Sequence, residues 1–225
     1  SNMICPIRIN CRAIISLMLL LALVVHFDNA FADETMTLIA TIVIDQDSTD
    51  MTKLAPAGDF NADGYPDLAI GVKQLLPYFS ELVYLYYGGP DFDNIPDLII
   101  EGEPQNPNSL CIDPYMDWTF FGWNITPLSD FDGDGFNDIA ISAQGFCTDL
   151  IDEGRIYIYF GSADPDTLPD IVIDGFEHYE WLGSDLGAGD FNGDGLSDLL
   201  AISPELIYAD PRAFIYLGNS APDNI

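Results

Sequence analysis

Three stretches of this 225-residue chain carry one nine-residue pattern at fixed positions: "GDFNADGYPDLAIG" (58–71), "SDFDGDGFNDIAIS" (129–142) and "GDFNGDGLSDLLAI" (189–202). Each reads D-F-[ND]-x-D-G-x-x-D and then turns apolar. Carboxylates packed this closely repel one another. A single copy would pass for a solvated acidic turn, since Asp and Gly favour turns. A solvated turn, however, needs no fixed offsets, whereas a bound cation demands oxygens at defined places. Threefold repetition points to a metal.

The offsets suit Ca²⁺. Side-chain oxygens at positions 1, 3, 5 and 9 converge with the backbone carbonyl of position 7, and Gly at position 6 permits the sharp turn. The first loop offers Asp59, Asn61, Asp63 and Asp67 with the carbonyl of Tyr65. The second offers Asp130, Asp132, Asp134 and Asp138 with that of Phe136, and the third Asp190, Asn192, Asp194 and Asp198 with that of Leu196. Hard oxygens without Cys or His argue against zinc and copper, and Mg²⁺ rarely takes an all-protein cage. Up to three structural Ca²⁺ ions are therefore expected. An EF-hand needs a Glu at position 12 and flanking helices. Position 12 is Ile70, Ile141 or Ala201, and β-like segments follow each loop.

Everything around the loops repeats as well. An aromatic strand ending in Gly comes after each: "LVYLYYG" (82–88), "RIYIYFG" (155–161), "AFIYLG" (213–218). The first two lead through a turn into "LIIEG" or "IVIDG". Each unit thus holds four short strands: A before the loop, B after it, C aromatic, D last. Four-stranded units repeating at this length are blades of a β-propeller. An unpaired D-like strand, "TLIATIVID" (37–45), precedes the first unit and is suited to completing the last blade of a ring.

In these features the chain resembles the FG-GAP repeat family, the propeller repeats of integrin α subunits. Phe121-Gly122 matches the FG element, Leu182-Gly183 matches it more weakly, and "MTKL" (51–54) lacks it. The GAP element is degenerate, at Ala55-Pro56, Thr126-Pro127 and Gly187-Ala188. The resemblance covers roughly residues 37–225 and implies an all-β propeller with structural Ca²⁺ in the A–B loops on its underside. No ligand specificity comes with a shared scaffold. Three blades are fewer than the 4–8 that close a propeller. The final "GNSAPDNI" tracks the C–D turns of the earlier blades without reaching a D strand. The expectation is a portion of a longer array, or a fragment whose first D strand pairs with its last C strand.

Residues 1–32 stand apart. Arg8 and Arg12 precede the apolar "AIISLMLLLALVV" (13–25), and "AFA" (30–32) supplies a small-x-small cleavage site. That is a secretory signal peptide, leaving 33–225 as the propeller portion of a secreted or surface protein. The formal net charge of −31 excludes nucleic acid and anionic membrane surfaces as partners. In an exported chain Cys111 and Cys147, the cysteines outside the signal peptide, are expected to form a disulfide.

Catalysis is the minority reading. His178, the one histidine beyond the signal peptide, lies in an aromatic connection, and the best-spaced aspartates are committed to metal. The leading expectation is extracellular recognition or adhesion, with a protein or glycan ligand. A Ca²⁺-stabilised spacer, or the non-catalytic part of a larger secreted enzyme, is the alternative. Recognition would fall to the face opposite the Ca²⁺ loops, where long connections carry Tyr78, Phe79, Tyr115, Trp118, Phe146, Tyr179 and Tyr208.

Overall fold

The computed structural model describes residues 41–42, 49–74, 80–105, 118–204 and 210–219, all within one compact unit, Ile39–Ile225. Among the described residues there are eleven β-strands and no helix. The strands form three antiparallel sheets. The first has the order β1 (Thr49–Gly58), β2 (Asp67–Gln74), β3 (Ser80–Tyr86), β4 (Leu98–Glu101). The second repeats it with β5 (Phe121–Leu128), β6 (Asp138–Ala143), β7 (Arg155–Tyr159) and β8 (Ile171–Asp174). The third contains β9 (Asp185–Gly189), β10 (Asp198–Ser203) and β11 (Arg212–Tyr216), with β10 central. These are the A–B–C–D blades expected of an incomplete propeller, the third described as A–B–C.

Strands form here because β-branched and aromatic residues alternate at period two, and both faces of each inner sheet find an apolar neighbour. In β7 Tyr157 and Tyr159 point toward the first blade, joining Phe60, Leu85 and Ile100 in one core. Their neighbours Ile156 and Ile158 point the other way and join Leu128, Phe131 and Leu199 in the core shared with the third blade. Blades are thus joined through their flat faces. A third cluster, Ile70, Val72, Leu82 and Tyr86, lies on the remaining face of the first blade, where Ile42 packs against it.

Each C strand ends on a glycine that cannot be replaced without a collision. A Cβ on Gly161 would lie 2.2 Å from the carbonyl of Asn137 and 2.7 Å from that of Phe60. The first contact is with its own blade's loop, the second with the loop of the blade before. Just beyond, Ser162 N–H donates to the Phe60 carbonyl at 3.0 Å, and Asn219 N–H donates to Phe131 at 2.9 Å. The acidic loop of one blade therefore seats the C-strand end of the next.

The D-like segment 37–45 lies outside the described residues except for Thr41 and Ile42, and residues 1–32, expected to be a signal peptide, lie wholly outside them.

Candidate metal centres

The three acidic loops join β1 to β2, β5 to β6 and β9 to β10, so antiparallel pairing gathers them at one end of the sheets. Their local geometry is nearly the same. The position-1 aspartate caps the turn: Gly64 N–H donates to Asp59 at 3.0 Å, Gly135 N–H to Asp130 at 3.1 Å, and Gly195 N–H to Asp190 at 3.0 Å. Positions 3 and 5 each accept from the backbone two residues on, in Asx-turns. Examples are Asp134 N–H to Asp132 at 3.0 Å and Phe136 N–H to Asp134 at 2.9 Å. The third loop has the same pair at Asn192 and Asp194, and the first at Asn61 and Asp63.

The position-9 aspartate does more than the spacing implied. One oxygen accepts from the backbone of its own loop: Phe60 to Asp67 at 2.8 Å, Phe131 to Asp138 at 2.7 Å, Phe191 to Asp198 at 2.8 Å. The other accepts from the glycine that ends strand C: Gly88 at 2.7 Å, Gly161 at 2.9 Å, Gly218 at 2.9 Å. A carboxylate oxygen has two lone pairs, so these bonds leave it able to bind a cation as well. Asp67, Asp138 and Asp198 thus tie loop to sheet. Nothing in spacing alone distinguishes that tie from metal ligation. The signal available in the sequence was the glycine ending each C strand.

In the middle loop, carboxylate oxygens of Asp130, Asp132 and Asp138 lie within 4.8 Å of one another. Asp134 is outside that group. Burial holds the Asp138 carboxyl well above the usual carboxylate range, at about 7, against the lowering effect of its two backbone hydrogen bonds; Asp132 and Asp134 push it up further. Burial also raises Asp67 and Asp132. In the first loop Asp59 Oδ1 is buried without a hydrogen-bond partner, which is costly unless something electropositive meets it. Crowded carboxylates, a buried orphan oxygen and an all-oxygen donor set fit a hard divalent cation.

At the opposite end of the sheets the aromatic residues divide. Phe146 is buried in the core between the first two blades, with the Arg155 guanidinium 4.0 Å above its ring, which removes it from the expected ligand face. Its loop folds inward because Phe146 N–H and carbonyl engage Ala143 and Gly154. Trp118 and Tyr179 are half-buried, and Lys73 Nζ sits over the Trp118 ring. Tyr78, Phe79, Tyr115 and Tyr208 lie outside the described residues. The structure adds further rings at this end of the sheets. Phe120 stands 6.1 Å from Trp118, 5.7 Å from Trp123 and 6.1 Å from Trp181. Trp123 is 45% exposed. Phe120 and Trp181 occupy equivalent places before an FG-type glycine and have φ of 59° and 51°, a costly conformation for bulky side chains. Glu81 holds this segment, accepting from Thr119, Phe120 and Phe121 N–H at 3.0–3.3 Å. His178 Nδ1 accepts from Ile151 N–H at 3.0 Å and so braces a loop.

Cys147 is buried at the same end. Cys111 lies outside the described residues, so the expected Cys111–Cys147 pairing does too.

Comparison with known proteins matches this architecture blade by blade. The family model for the FG-GAP repeat covers residues 53–86, 121–159 and 182–208. The phosphatidylinositol-glycan-specific phospholipase D of Bos taurus is 32% identical over 158 residues, 66% of this chain and 18% of that protein. Its Homo sapiens counterpart is 33% identical over 159 residues, again 66% of this chain and 18% of that protein. Human integrin alpha-7 is 32% identical over 114 residues, 47% of this chain and 8% of that protein. The chain thus spans under a fifth of the length of these relatives. Each matched segment falls on a different sheet, over β1–β3, β5–β7 and β9–β10, and the chain carries three successive FG-GAP repeats.

Proposed function

We propose that this chain is an extracellular, Ca²⁺-stabilised recognition module that presents an aromatic patch to a glycan. The aromatic cluster carries the reading. Trp118, Phe120, Trp123 and Trp181 gather at the end of the sheets away from the acidic loops, with Trp123 open to solvent. An exposed indole on a rigid sheet offers the flat apolar surface that sugar C–H faces stack on, while neighbouring carboxylates accept from hydroxyls. The left-handed backbone at Phe120 and Trp181 is strain of the kind concentrated at functional sites. The Ca²⁺ ions belong to the scaffold. Asp130, Asp132 and Asp138 would hold one, and the corresponding residues of the other loops the rest; each ion would offset carboxylate repulsion.

Relatedness to integrin alpha-7 and to the phospholipases supports an exported protein, in keeping with the signal-peptide reading of residues 1–32. The blades act as a scaffold and not as a source of catalytic groups: the best-placed aspartates serve the loops, and the histidine braces one. Binding of the secreted chain to an array of immobilised glycans tests the proposal. Wild type is expected to bind a subset with quenching of tryptophan fluorescence. Trp123→Ala should weaken binding about tenfold while leaving the melting temperature unchanged. Absence of glycan binding, or binding indifferent to Trp123, would return the patch to a purely structural role and favour the spacer.

A further inference from the structure

The three acidic loops differ in the chemical durability of their third position. That position and the next read Asn61-Ala62, Asp132-Gly133 and Asn192-Gly193. Asparagine is thermolabile, because the backbone nitrogen of the following residue can attack its side-chain carbonyl carbon. A Cβ on that following residue crowds the nitrogen, and glycine has none. The first loop has alanine there, and the second already has its acid. Asn192-Gly193 is the one Asn-Gly pair in the chain. Both residues are exposed, and a Cβ on Gly193 would meet nothing within 4 Å. This exposure belongs to the loop and not to its place in the array. Where another blade follows, Ala62 and Gly133 are still exposed, and Asn61 and Asp132 are half-buried.

The folded loop engages every atom that such an attack needs. Gly193 N–H donates to Asp190 Oδ1 at 2.6 Å, which aims the amide hydrogen at a carboxylate. Asn192 Oδ1 accepts from Asp194 N–H at 2.8 Å, and Asn192 Nδ2 donates to Asp194 Oδ2 at 2.8 Å. Both polar atoms of the side-chain amide are thus turned forward to residue 194. Its carbon cannot swing back onto the Gly193 nitrogen without breaking both bonds. All three bonds lie in an exposed segment, the kind that opens locally without global unfolding.

We propose that Asn192 is a modification site, converted to aspartate or isoaspartate when the third loop opens. In the open loop the Gly193 nitrogen gives up its proton and bonds to Asn192 Cγ. The Cγ–Nδ2 bond breaks, and ammonia leaves with that proton as a cyclic imide closes. Water then opens the ring, and no redox partner is needed. Cleavage at Cγ restores the backbone with aspartate at 192, whereas cleavage at the main-chain carbonyl routes the backbone through the side chain. The two products act on the loop in opposite directions. Aspartate turns "DFNGDG" into the "DFDGDG" of the middle loop, with a fourth carboxylate, and ligand charge tunes Ca²⁺ affinity. Isoaspartate adds a backbone atom between positions 3 and 5 and so destroys the offsets. A bound ion would keep the loop closed and delay the change, a part that rests on the Ca²⁺ reading of the loops.

Peptide mapping of the full secreted chain after incubation at neutral pH in calcium, in chelator and in denaturant tests this. Ammonia release and enzymatic methylation of isoaspartate supply independent readouts. Conversion is expected at Asn192 with Asn61 unchanged, about tenfold faster in denaturant than in the folded loop in calcium, with chelator between the two. Gly193→Ala should abolish it. The fold accepts alanine at that place, since the first loop has Ala62 there with φ of 59°. The mapped peptide of Asn192→Asp should co-migrate with one of the two products. Equal rates in calcium and chelator, both below that in denaturant, would support the hydrogen-bond lock and remove the ion from it. Asn192 intact in denaturant, Asn61 converting as fast, conversion that survives Gly193→Ala, or a folded rate equal to the denatured one would each overturn the proposal.

Discussion

At the residue scale the informative positions are the ninth aspartates and the glycines they hold. Asp138 serves two backbone donors at once, Phe131 N–H at 2.7 Å and Gly161 N–H at 2.9 Å, and both are buried. Asp138→Ala should leave two amides without acceptors and cost about 3 kcal/mol or more, measured by denaturation in calcium and again in chelator. Asp134, whose oxygen accepts only within an exposed turn, should cost under about 1 kcal/mol when changed to Ala in chelator. Equal losses for the two variants in chelator would show that the tie between loop and sheet carries no stability of its own. Gly161→Ala makes a companion test. Its Cβ would meet backbone oxygen on two sides, so a loss of about 3 kcal/mol is expected from crowding that no rotamer can relieve.

At the scale of the loop, the repeated elements are not equal. The middle loop places an aspartate at position 3 where the others have asparagine, and its carboxylates gather within 4.8 Å. It is expected to hold its ion most tightly and to release it last during stepwise chelation followed by calorimetry. An ion present at about 100 times its dissociation constant stabilises the folded state by roughly 2.7 kcal/mol. Chelation should therefore lower the melting temperature, and most of the drop should remain when the first and third loops are already disabled by Asp59→Ala and Asp190→Ala. A melting temperature indifferent to chelator would remove the structural role of the metal.

At the scale of the whole molecule, the blades form one stack through two shared apolar cores, so no blade is an independent unit. Unfolding should be a single transition. Near-ultraviolet and far-ultraviolet circular dichroism should report the same midpoint, and separated midpoints would show that the cores do not couple the blades. The expected Cys111–Cys147 bond would link the connection entering the second blade to the connection within it. Thiol labelling of the denatured chain before reduction should then fail at both cysteines and succeed after reduction. Labelling without reductant would rule the bond out.

The sequence by itself determined the blade. Alternating aromatic and β-branched runs between acidic turns leave few other ways to bury Tyr157 on one side and Ile158 on the other. The threefold motif likewise fixes the place and donor chemistry of the loops, because a cation site depends on offsets within nine consecutive residues. Tertiary structure decided whatever depends on distant segments meeting. It gave Asp67, Asp138 and Asp198 their second partners, twenty or more residues away, which no local spacing encodes. It buried Phe146 and exposed Trp123, since the fate of a ring depends on which neighbour covers it and not on the loop that carries it. It also separated Phe191 from Phe60 and Phe131, three residues identical in motif and different in exposure only because a following blade covers two of them.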